Sequence, residues 1–262
     1  MADGGNVIFK FIGDDKSLKS TMDKLGSIGK SALTGMVAGT TAVVGGFGAL
    51  VTASVKARGE MEQSLGGIET IFKSGADAII ENSNRAYKEA GISAQTYMDQ
   101  ATSFGASLRR SLGDNDAEIT RYVDMAIKDM ADNSAKMGTN IEQIQNAYQG
   151  LAKGNATMLD NLKIGYGGTQ TEMLKLAQDM GVVSKKVKSF GEMSFDQSIL
   201  AIHKVQEQLG MTGTAGKEAT ETLTGSMSML KASWDNFLAG QGDIGKVVES
   251  ARSSFSKCCT NS

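Results

Sequence analysis

Residues 114–138, DNDAEITRYVDMAIKDMADNSAKMG, carry the clearest structural signal in the chain. After Asp114, the residues Ile119, Tyr122, Val123, Ala126, Ile127 and Met130 recur at three- and four-residue spacing, which places them on one wide apolar face of a helix. Gly138 ends the pattern, as glycine does where a helix must turn left-handed to stop. The same period continues downstream. Thr139-Asn-Ile-Glu142 reads as a capping box opening a helix with Ile141, Ile144, Tyr148 and Leu151 inward. Two more boxes, Thr169 to Glu172 and Ser194 to Gln197, precede the runs 173–180 and Phe195, Ile199, Ile202, Val205, Leu209. Upstream, 60–72 and 76–90 read as helices parted near Ser74 and Gly75, and Ser93 caps another that ends at Gly105 or Gly113. Residues 57–212 are therefore expected to form a multi-helix domain, in a fold that is mainly α.

Composition agrees. The 262 residues contain no proline, where average usage of about 5% would supply roughly 13. A chain without that obligatory breaker suits long helices. Aromatics are only 6%, low for a large-core enzyme, and the net charge of −2 predicts no basic face for nucleic acid. The two cysteines, Cys258 and Cys259, are adjacent and close no useful loop, which suits synthesis in a reducing cytoplasm. Asp3, Asp14, Asp15 and Asp23 leave no pattern of a cleavable leader in the first 30 residues.

The ends of the chain differ from its middle. Residues 1–30 read as a short β-strand at 6–12 (NVIFKFI) and a helix with Leu18, Met22, Leu25 and Ile28 on one stripe. A lone strand needs a partner, within the chain or on a sister chain. Residues 31–56 follow as a Gly-rich apolar helix, uncharged from Ser31 to Val55 and closed by Lys30 and Lys56. At ~1.5 Å per residue it would reach ~37 Å, enough for a hydrocarbon core. Gly35, Gly39, Ala42 and Gly46, with Val43, Val44, Phe47 and Leu50, make a face on which helices approach closely. That composition suits a membrane segment and a helix buried among sister helices equally. Residues 213–262 form the tail. Leu223, Met227, Leu230, Trp234 and Phe237, then Ile244, Val248 and Phe255, alternate by four and three around a flaw at Gln241, a coiled-coil-like seam. The seam serves either self-association or packing of two helices on the preceding domain, and Gly240, Gly242 and Gly245 mark where the helix can break.

Chemistry is sparse. His203 is the single histidine, so no His-based metal site of ordinary spacing exists, and its place between Ile202 and Lys204 on an amphipathic helix predicts a plain boundary residue. Residues 24–31 (KLGSIGKS) and 211–218 (MTGTAGKE) mimic a phosphate loop, but each lacks its first glycine and neither follows a strand. Gly165-Tyr-Gly-Gly168 lacks the last glycine of a dinucleotide fingerprint and predicts a chain reversal with positive φ. No catalytic group, cofactor or metal ligand is expected.

Residues 147–168 (AYQGLAKGNATMLDNLKIGYGG) with 169–181 (TQTEMLKLAQDMG) resemble the N-terminal region of phage tail tape measure proteins, including those of phage-tail-like particles. Residues 53–72 (ASVKARGEMEQSLGGIETIF) and 225–239 (GSMSMLKASWDNFLA) are similar to the same family, and Leu159-Asp160-Asn161-Leu162 with its glycines is the most specific element. The resemblance covers about residues 6 to 250. It implies no enzymatic role, but a homo-oligomer, often taken as three chains, in the lumen of a tail tube, where helical length sets tube length. It also implies tail tube protein, baseplate or tail-tip proteins and tail assembly chaperones as partners, with synthesis in the host cytoplasm and help to DNA at the host inner membrane. Family members usually continue for hundreds of residues, whereas 262 wholly helical residues would reach only ~390 Å. The expectation is an N-terminal part, a very short tail, or a protein that is not the ruler. A membrane-active, pore-forming or toxin-like helical protein is the alternative that the apolar segment allows.

Overall fold

The computed structural model describes the backbone of residues 42–260 and the side chains of residues 53–222 and 224–254. By contact the chain divides into two units, Met1–Thr52 and Ala53–Ser262. The helices are α1 (Ala42–Phe72), α2 (Ala76–Glu89), α3 (Ala94–Leu112), α4 (Asp116–Met137), α5 (Ile141–Ala152), α6 (Gln170–Asp179), α7 (Phe195–Gln208), α8 (Thr214–Glu221), α9 (Leu223–Leu238) and α10 (Ile244–Thr260). The protein is mainly helical, with no strand among the described residues. The strand expected at 6–12 and the stripe Leu18 to Ile28 lie outside them, as do Gly35 and Gly39. Ala42, Val43, Val44, Gly46, Phe47 and Leu50 fall in the opening turns of α1, described in backbone only. Among the described residues no helix is long and apolar enough to cross a membrane.

The helix legible at 114–138 is the centre of the second unit. Asn115 caps it by accepting from the Glu118 amide, Asp116 and Glu118 complement the positive end of its dipole, and Gly138 at φ +64° closes it. Its apolar face is buried as expected, and α2, α3, α5, α7 and α8 pack around it. In the core Phe104 of α3 lies with its ring centroid 6.2 Å from Tyr148 of α5 and 5.8 Å from Phe195 of α7, tying three helices together. Filling such a core dominates the stability, since a buried aromatic removes about 150–250 Å² from water.

Helix ends follow local chemistry. Ser93, Thr169 and Ser194 act as caps, the last in a full box with Gln197. The box expected at Thr139 does not form: Asn140 accepts from the Glu142 amide instead, and the Thr139 hydroxyl is buried, while its carbonyl accepts from Ser134 Oγ. The Asn140 carboxamide, one residue nearer, takes the Glu142 amide. Leu159–Leu162 is a 3₁₀ turn with both leucines fully buried, and Gly165 has the left-handed φ that the reversal requires.

The tail departs from one continuous coiled seam. Gly240 adopts φ +76°, its amide and that of Gln241 bond back to Phe237 and Asn236, and the chain reverses into an antiparallel hairpin of α9 and α10. The hairpin buries small and polar side chains: Ser226 and Ser233 of α9 and Val247, Ser250 and Ser254 of α10 are buried, Ser254 Oγ donates to the Ser226 carbonyl at 2.8 Å, and Asn236 Oδ1 instead accepts from the Ala94 amide of α3 at 2.7 Å. Close approach selects small residues, so the larger apolar ones move to the flanks. Nor does the tail separate at residue 213. Helix α8 lies on α4, and Met229 and Ala232 of α9 share a small core with Tyr87 of α2 and Ala219 of α8.

Candidate functional site: a charged cleft and an outward apolar stripe

The polar end of the α4 face builds one candidate site. Asp129, Asp132 and Asn133 follow the apolar residues at helical spacing and are buried with them. Asp129, 1% exposed, accepts from His203 of α7, with 2.8 Å between Oδ1 and Nδ1. Burial pushes the Asp129 carboxyl up to about 6, against the pull of the imidazole, and the carboxylate in turn raises His203 above its ordinary value. The other ring nitrogen of His203 lies 3.6 Å from Glu207 Oε1. Three residues along α4, Asp132 accepts from the Gly213 amide at 2.7 Å and the Ala215 amide at 2.8 Å, holding the start of α8. Burial raises its carboxyl too, and those two amide bonds oppose the rise.

These groups line a cleft of about 470 Å³ whose rim carries Glu89, Arg121, Asp124 and Lys128. Lys128 bridges Asp124 at 2.8 Å and Glu89 at 3.0 Å, and Tyr97 donates to Asp124 at 2.8 Å. The rim of the cleft is thus a web of paired charges. Both nitrogens of His203 face carboxylates. Among the described residues no three His, Cys, Asp or Glu side chains are grouped to hold a metal ion. What the arrangement does chemically is to join α4 to α7 and α8 through charge-assisted bonds.

The sequence places His203 within an amphipathic helix, between its apolar and polar faces; its side chain is 21% exposed in α7, and its partner Asp129 was not foreseen. The signal was Asp129, Asp132 and Asn133 falling inside the apolar period of α4. Acidic residues on a buried stripe need partners, which spacing alone does not name.

The second candidate is the α9 half of the expected seam. Met227 is 53% exposed and Trp234 36%, Leu230 and Phe237 are half-buried beside them, and the Trp234 and Phe237 rings touch at 5.7 Å. Met227 and Trp234 are the exposed members of this stripe, beside the buried Ser226 and Ser233 of the same helix. Ile244 and Val248 on α10 are half-buried, and the side chains of Leu223 and Phe255 lie outside the described residues. The structure therefore keeps Met227, Leu230, Trp234 and Phe237 together and parts them from the α10 residues at Gly240. Compared with protein-family models, curated proteins and solved structures, the chain finds no match.

Proposed function

We propose that the chain is a structural, self-associating protein of the phage tail tape measure type, acting in the lumen of a tail or tail-like tube. The observation that carries the assembly role is the outward stripe on α9. Met227 and Trp234, large apolar side chains at coiled-coil spacing, stay exposed while serines of the same helix are buried. Supporting the tail assignment are the similarity of residues 147–181 to that family and the uncharged Gly-rich run at 31–55. In this reading the run is a close-packing helix in the assembly and a membrane-inserting segment at delivery. The charged cleft is structural, and the partners are sister chains, tube and tail-tip proteins, and assembly chaperones.

Sedimentation of the chain at increasing concentration tests the stripe. Self-association is expected for the native sequence and its loss in Met227→Lys with Trp234→Lys, with helical circular dichroism unchanged. A native chain that stays monomeric at about 100 µM removes the seam. The ruler role is tested separately by electron microscopy of tails whose gene is lengthened by whole heptads; unchanged tube length removes it.

A further inference from the structure

Nine buried side-chain polar atoms among the described residues have no protein partner, and five of them sit on three mutually packed helices: Asp129 Oδ2 and Asn133 Oδ1 on α4, Tyr148 Oη on α5, and both amide atoms of Gln206 on α7. Asp129 and Asn133 stand four apart on α4, and His203 and Gln206 three apart on α7, so each pair shares a face. The Asp129–His203 bond brings those faces together. Tyr148 of α5, fully buried, feels the charges of Asp129 and Asp132. An orphaned buried donor or acceptor costs roughly five- to a hundredfold in the folding equilibrium. At about tenfold each, five would remove about five decades, the size of a whole folding equilibrium constant. The fold therefore needs a ligand there.

We propose that α4, α5 and α7 enclose an internal solvent site, in which ordered water is bound by Asp129, Asn133, Tyr148 and Gln206 as a fixed part of the structure. The inventory matches water, which donates twice and accepts twice. Asp129 Oδ2, Asn133 Oδ1 and Gln206 Oε1 accept, whereas the Gln206 amide donates and the Tyr148 hydroxyl does either. A monovalent cation fits less well, because the Gln206 amide hydrogens and the neighbouring His203 oppose it.

Tyr148→Phe is the sharpest test, since it removes one oxygen and leaves the ring. If the hydroxyl holds water, the variant's folding equilibrium constant in urea titration falls about tenfold. A hydroxyl without a partner predicts no change or a gain, either of which overturns the proposal. Gln206→Met serves as a second variant, and oxygen-17 relaxation dispersion of the full chain counts long-lived internal water directly. The dispersion amplitude is expected to fall in both variants relative to the native chain. Equal amplitudes, or a rubidium anomalous peak between α4 and α7 in crystals grown with that ion, reject internal water.

Discussion

The bond between Asp132 and the start of α8 is the contact whose strength the structure defines most directly. Its two oxygens accept from two different amides, Gly213 at 2.7 Å and Ala215 at 2.8 Å, at a site where Asp132 is 4% exposed. Asp132→Asn preserves size but offers one oxygen, so one amide must face an NH₂ group instead. A buried unpaired amide costs about 1–3 kcal/mol, and replacing a charged acceptor by a neutral one loses about 1 kcal/mol at the other. Against this, burial already disfavours the Asp132 carboxylate, so removing the charge offsets part of the loss. The net loss is about 1–3 kcal/mol. Urea unfolding at pH 7 measures it, and hydrogen exchange locates it. Protection of the amides of residues 213–222 should fall more than that of α4. A variant within 0.5 kcal/mol of the native chain, with α8 equally protected, would refute the view that this carboxylate fastens α8 to α4.

Other outcomes follow from the same contacts. His203 is raised in the fold, so its contribution is fully present below about 6.5 and is lost as pH rises through its folded value. Asp129 is raised to about 6, so the fold favours its proton, and this group adds stability as pH falls from about 6 towards 3.8. Both act in one direction: melting temperatures should be higher at pH 5.5 than at pH 8, and Asp129→Asn should flatten that slope. Asp114, Asp116 and Glu118 are lowered by Lys73, Ser74, Arg109 and Arg121, so their contribution is present at pH 5.5 and fades at more acid pH. Gly240→Ala forces a side chain into left-handed backbone at the hairpin turn and should cost about 1–2 kcal/mol in urea unfolding, with α10 losing hydrogen-exchange protection first. Arg109 donates to the Ile71 carbonyl near the end of α1 and pairs with Asp114 and Asp116; Arg109→Leu should cost about 1.5–3 kcal/mol by the same measurement.

Most of the helical body was legible because its residues obey one period. Ile119 through Met130 declared the central helix, Ser93, Thr169 and Ser194 declared helix starts, and Gly113 and Gly138 declared ends. These are local rules, satisfied within one or two turns. Thr139 shows their limit: two neighbouring residues competed for the same amides, and only the folded geometry chose Asn140. The cleft was illegible for a different reason. Asp129 and His203 are 74 residues apart, and nothing in either helix announces the other.

The tail draws the same line. By itself the sequence showed apolar positions from Leu223 onward alternating by four and three as in a helix, and glycines at 240, 242 and 245 where it can break; the helices are in fact Leu223–Leu238 and Ile244–Thr260, with Gly245 inside the second. Periodicity of this kind is a property of a single helix, so a single chain suffices to read it. The tertiary structure decided which face meets which. The hairpin brings α9 and α10 close enough for the Ser254 hydroxyl to reach the Ser226 carbonyl, so serines went inward and Met227 and Trp234 were left on the outside. That choice depends on the distance between two helices, which no spacing along either one encodes.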